Sequence, residues 1–88
     1  MRGEGAYARL DEPVRVFVEF QPTRPRIKRL WLCWRQRRYQ IDKVHLYHTD
    51  WQGEALLHYL SVTADGKFFK LRFDSKRLTW TVEEVFEP

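Results

Sequence analysis

The dipeptide Asp65-Gly66 constrains this chain more than any other feature. Before it Leu56, His58, Leu60 and Val62 fall on alternate positions, and after it Phe69, Leu71 and Phe73 do the same. Asp-Gly suits a two-residue hairpin turn that needs positive φ at both central positions, and the alternation on either side marks strands with one buried face. Closing that turn pairs Val62 with Phe69, Leu60 with Leu71 and His58 with Phe73. A slip of one residue would carry the whole apolar set to the opposite face, so pattern and turn specify one register. A second tight turn at Ser75-Lys76 pairs Phe73 with Leu78, Leu71 with Trp80 and Phe69 with Val82. The expected buried face therefore holds Leu60, Val62, Phe69, Leu71, Phe73, Leu78, Trp80 and Val82, and the chain is antiparallel β.

The upstream half follows the same period. Val14, Val16, Val18 and Phe20 alternate along a first strand, which Pro22 and Pro25 end because proline cannot donate to a ladder. A second strand, Arg26 to Trp34, turns Leu30, Leu32 and Trp34 inward and Arg29, Trp31, Cys33 and Arg35 outward. A turn over Arg35 to Arg38 then pairs Trp34 with Tyr39 and Leu32 with Ile41. The third strand runs from Tyr39 towards Tyr47. Its apolar parity changes from odd (Tyr39, Ile41) to even (Val44, Leu46), which a β-bulge near Asp42-Lys43 explains. Thr49 to Glu54 reads as a loop. Residues 1–12 carry two of the four glycines and no apolar period, and read as a flexible arm before a single domain over 13–88. The fold expected is all-β, a six-stranded antiparallel meander with Trp34 and Trp80 buried, curled into a small SH3-like, partly open barrel.

Size and composition exclude most catalytic architectures. A folded chain of 88 residues buries only about 60–65% of its unfolded surface, enough for one core but not for a deep cleft as well. Cys33 is the only cysteine, so no intrachain disulfide is possible and a reducing, cytoplasmic setting is expected. The longest apolar run, Leu30 to Trp34, is far short of a membrane span, and neither a signal segment nor a membrane partner is expected.

No catalytic or metal-binding set emerges. His45 and His48 are three apart and point to opposite faces of a regular strand, while His58 lies on the expected core face, so even with Asp50 they do not make a convergent zinc set. Cys33 has no spacing signature with a histidine, and Ser61 and Ser75 read as strand and turn positions. Glu83 and Glu84, adjacent in a strand, point apart and read as a solvated acidic end. Neither an enzyme nor a cofactor is expected.

Charge gives the functional signal. Gln21 to Lys43 holds eight basic residues and one acidic one, a local net charge of +7 within a chain whose total is +4. Arg24, Arg26, Arg29, Trp31, Arg35, Arg37 and Arg38 lie in this segment. Arg29, Trp31, Arg35 and Arg38 are expected on one solvent-facing surface, where guanidinium groups neutralise phosphates and an indole stacks on bases. A second outward patch carries Tyr59, Phe68, Lys70 and Arg72. The function expected is a non-catalytic nucleic-acid-binding accessory module whose partner is single-stranded or distorted nucleic acid. The alternative is a protein-interaction module that uses an aromatic groove or a sheet edge.

The run Pro25 to Tyr47, with its Trp34-Arg35-x-Arg37-Arg38-Tyr39-x-Ile41 hairpin, then Trp51, the Tyr59 strand and the Trp80-x-Val82 ending, resembles a small bacterial domain. That domain occurs alone or beside proteins of the Y-family DNA polymerase and mutagenesis (error-prone repair) type. The likeness covers roughly residues 12–86. Gln36 stands where the family more often has glycine, so a longer or differently shaped turn is expected there. The resemblance implies a setting near DNA repair, with a repair polymerase or related protein as partner, and it assigns no catalytic residue.

Overall fold

A computed structural model describes residues 6–88. Seven strands account for most of them: β1 (Ala6–Phe20), β2 (Ile27–Trp34), β3 (Arg37–Gln40), β4 (Lys43–Gln52), β5 (Ala55–Ala64), β6 (Lys67–Asp74) and β7 (Thr79–Glu87). All pairs are antiparallel, and the strands form one sheet in the order β3-β2-β1-β7-β6-β5-β4. The all-β, antiparallel expectation therefore holds. The strand count is seven rather than six, because the expected third strand divides at Ile41-Asp42 into β3 and β4.

The Asp65-Gly66 hairpin has the register its sequence dictates. Val62 lies opposite Phe69, Leu60 opposite Leu71 and His58 opposite Phe73, and φ is +52° at Asp65 and +76° at Gly66. The hairpin at Arg35 departs from expectation. It is a two-residue turn with φ of +52° at Arg35 and +66° at Gln36, so Leu32 rather than Trp34 faces Tyr39. The displacement is by two residues, which keeps the paired side chains of the two strands on their expected faces. Gln36 therefore takes the positive φ that glycine would accept without strain, and the turn is no longer than a tight one. The last hairpin is wider than Ser75-Lys76. Asp74 Oδ1 accepts from the N–H groups of Lys76 and Arg77 at 2.9 and 3.0 Å, which holds a four-residue turn and puts Phe73 opposite Trp80 and Leu71 opposite Val82. Leu78, expected in the core, is consequently 73% exposed at the turn, with positive φ. Trp80 and Phe73 are half-buried.

Three further corrections concern the ends of strands. Residues expected in a flexible arm are strand from Ala6 onward, paired with β7 from Ala6–Glu87 to Val14–Trp80; residues 1–5 lie outside the described residues. Thr49–Gln52 belongs to β4, and the turn that follows is only Gly53-Glu54, joining Gln52 to its partner Ala55. The register shift of β4 lies between Val44 and Leu46, slightly beyond the Asp42-Lys43 position expected.

Connectivity explains the curl. β3 and β4 occupy opposite ends of the strand order, yet only Ile41 and Asp42 separate them in the chain. The sheet must therefore bend until its two ends meet. At the junction the Ile41 N–H donates to the Leu30 carbonyl (2.9 Å) and the Asp42 N–H to the Thr63 carbonyl (2.8 Å). No ladder joins β3 to β4, so the sheet is not closed into a barrel.

The concave side is the core. Leu32, Val62, Phe69, Leu71 and Val82 are fully buried, with Trp34, Tyr39, Leu60, Ala64 and Val85 packed around them. Phe69 stands edge-on to both Trp34 (5.6 Å) and Tyr39 (5.3 Å), so β6 is tied to β2 and β3 by aromatic contacts beyond simple area burial.

Candidate functional site

The seven residues singled out in the basic segment occupy three places. Arg24 and Arg26 are exposed in the loop between β1 and β2, where the Arg26 guanidinium donates to the Pro22 carbonyl. Arg35 and Arg37 lie at the other end of β2, beside the Asp65-Gly66 turn. Arg35 bonds Glu12 at 2.9 Å and lies over the Trp34 ring at 4.6 Å, while Arg37 pairs with Asp65 and lies over Tyr39 at 5.0 Å. Arg35 thus leaves the surface on which it was expected, because the tight turn directs it towards Glu12.

Arg29, Trp31 and Arg38 do come together, on the outer face of β1–β3. From Arg29 to Cys33 pleating sends the odd residues of β2 outward, since Leu30, Leu32 and Trp34 are buried. The Arg29 and Arg38 guanidinium carbons lie 5.9 and 5.6 Å from the Trp31 ring, so the half-buried indole is framed by two cations. Pairing with β1 adds two groups that sequence reasoning did not assign to this site. Phe17, 43% exposed, lies directly opposite Trp31, and Arg15 lies opposite Cys33. Cys33 also faces Arg38, so one row reads Arg15, Cys33, Arg38 and the next Phe17, Trp31, Gln40. Glu19 approaches Arg29 and Lys28 at 3.7 and 3.8 Å. Among the described residues Arg15 and Arg38 pair with no carboxylate.

The second outward patch is neutralised. Arg72 pairs with Glu83 at 2.8 Å and Lys70 approaches Glu84 at 3.8 Å. Glu83 and Glu84 share the outer face instead of pointing apart, because a register shift opposite Lys70-Leu71 lets Val82 and Val85 both turn inward. Their side chains are only 12% and 16% exposed, so they are not a solvated acidic end.

The histidines have separate partners. His45 Nε2 lies 3.1 Å from Thr63 Oγ1, His48 stacks on Tyr59 at 4.8 Å, and His58 Nδ1 lies 2.6 Å from the Tyr47 hydroxyl. No three His, Cys, Asp or Glu side chains gather in a metal-binding group among the described residues.

The concave face opens into an apolar hollow of about 610 Å³. Val18, Leu30, Leu60, Phe73 and Trp80 line its depth. Phe20, Ile27, Val44 and Tyr47 stand at its lip, with exposures of 72%, 39%, 39% and 54%. The apolar parity of Val44 and Leu46 does not bury them: every residue of β4 is exposed, because β4 is the last strand of the sheet. Among the described residues no helix is long and apolar enough to cross a membrane. Compared with protein family models, curated proteins and solved structures, the chain matches none of them.

Proposed function

We propose that the protein is a non-catalytic accessory module whose outer β1–β3 face binds single-stranded or distorted nucleic acid. The observation that carries this reading is Trp31, held on a sheet surface between Arg29 and Arg38 with Phe17 beside it. Flat aromatic groups on a strand face stack on bases with little sequence preference, while arginines track phosphates. A role in DNA repair, implied by the resemblance of Pro25 to Tyr47, and an SH3-like character of the curl belong to the same proposal.

On this reading the arginines without a carboxylate partner should matter most. Arg15 and Arg38 are exposed on the proposed face, whereas Arg35 and Arg37 already hold carboxylates. In a salt titration with a fluorescein-labelled single-stranded DNA, Arg15→Ala and Arg38→Ala should each flatten the slope of log affinity against log salt by about 0.7, and Arg35→Ala should leave it unchanged. Trp31→Ala should weaken binding by about 1–3 kcal/mol with little effect on the slope. Absence of DNA and RNA oligonucleotide binding at low salt would refute the reading. A second reading, protein interaction, is favoured by a separate observation, the exposed apolar lip of the concave hollow.

A further inference from the structure

We infer that the concave hollow and the free edge of β4 together receive an extended peptide with alternating apolar side chains and an acidic end. The inference rests on the protein-interaction reading and does not involve the Trp31 face.

Three observations converge on one occupant. First, among the described residues the edges on either side of the opening lack strand partners. β3 pairs with β2 only from Trp31 to Trp34, and the bond from the Ile41 N–H to the Leu30 carbonyl is the last on that side. Beyond it, β2 continues through Ile27–Arg29 with β1 alone as neighbour, and β4 has β5 alone. A ten-residue edge strand without proline offers backbone donors and acceptors to an added strand.

Second, the hollow lies beside that edge. Val44 and Tyr47 of β4 line it together with Ile27 and Leu30 of β2, so alternate side chains of a strand paired to β4 would enter apolar space and leave their neighbours in solvent. Third, the charge changes along the opening. The hollow shares Ile27, Leu30 and Val44 with an adjoining cleft of about 310 Å³ that Lys28, Arg29 and Lys43 also line, with Asp42 the single acid. A bulge opposite Glu19-Phe20 breaks the parity of β2 here, so Ile27 reaches the hollow beside Leu30. Lys28 and Arg29 border the cleft but also approach Glu19 at 3.8 and 3.7 Å. Lys43 is the cleft cation that pairs with no carboxylate among the described residues. An occupant that is apolar over the hollow should therefore be acidic over the cleft, which separates it from a basic or uncharged segment.

The test is to pan a display library of random peptides the length of β4 against the full chain, then measure a synthesised selected peptide by fluorescence anisotropy. Enriched sequences should alternate apolar and polar residues and carry Asp or Glu at one end. Val44→Glu should weaken binding by about tenfold or more while leaving the thermal midpoint near that of the parent, because Val44 lies at the exposed lip. Lys28→Glu combined with Lys43→Glu should weaken it too, and exchanging the acidic end of the peptide for lysines should restore it. N-methylation of alternate backbone amides should abolish binding in one register only, as strand pairing requires. Trp31→Ala should leave peptide affinity unchanged.

Enriched peptides that lose affinity with Val44→Glu, but are indifferent to N-methylation and to the two lysines, would overturn the extended acidic peptide and leave the groove reading standing. A library with no enriched sequence, or peptides bound equally by Val44→Glu, would overturn both.

Discussion

Glu12 shows how much one side chain can settle that its sequence position conceals. It closes a glycine-bearing segment without apolar period, yet it is strand, and its carboxylate accepts from Trp34 Nε1 at 3.0 Å and from Arg35 at 2.9 Å. A buried indole N–H needs an acceptor, and this one sits 22 residues away, where no local pattern points to it. The hydrogen bond from Arg35, and then that from Trp34, hold the Glu12 carboxyl below the usual carboxylate range. The N–H groups of Arg77 and Lys76 do the same for Asp74. In each case the folded protein binds the proton more weakly than the unfolded chain does. Their stabilisation is therefore complete above the unfolded pKa values, about 4.3 for Glu and 3.9 for Asp, and is lost as pH falls through the lower folded values. Thermal melts between neutral pH and about pH 3 should show the midpoint dropping on the acid side. Glu12→Gln and Asp74→Asn should each flatten that drop. An acid limb unchanged in both variants would disprove the assignment.

The hairpins show which elements are legible from sequence and why others are not. Asp65-Gly66 carries its geometry in its residue types, and everything paired across it follows. Arg35-Gln36 adopts the same positive-φ conformation without Gly or Asn, so nothing local announces a two-residue turn; parity still assigned the faces, and the register was displaced by two. At Asp74 the controlling feature is a side chain capping backbone N–H groups two and three residues on, which turn-residue counting overlooks. Two substitutions test this account in opposite directions. At Gly66 an added Cβ would meet nothing within 4 Å, and φ is +76°, so Gly66→Ala should destabilise by about 1–2 kcal/mol through backbone conformation alone. Gln36→Gly relieves the converse strain and should stabilise on the order of 1 kcal/mol. Urea midpoints of the two variants should therefore move apart. Movement of both in the same direction would mean that contacts, not φ, govern these turns.

A curl was expected from the meander, but the pairing that shapes it was the part least available to local reading, because it joins residues far apart in the chain. β1 meets β7 through residues such as Ala8 with Val85 and Val14 with Trp80, and neither segment carries a mark that names the other. The same holds for the candidate site. Parity placed Arg29, Trp31 and Arg38 on the outer face, but Arg15 and Phe17 join them only because β1 lies beside β2. Once bent, the sheet is held across its interior rather than along its edges, and Phe69 is where this converges: a fully buried ring of β6 against Trp34 of β2 and Tyr39 of β3. Removing that ring should open a cavity where β6 packs across the core on β2 and β3. Phe69→Ala should thus cost about 3–5 kcal/mol, a large part of the 5–15 kcal/mol typical of a native domain. Because the contact joins strands that are not neighbours in the sheet, the loss should lower stability of the entire sheet together. Tryptophan fluorescence, dominated by residues in β2, β4 and β7, and far-ultraviolet circular dichroism should give coincident urea transitions in both parent and variant. If instead fluorescence of the variant changed before the dichroism, β1–β3 would be melting away from an intact β4–β7, and the curled sheet would be two weakly joined units.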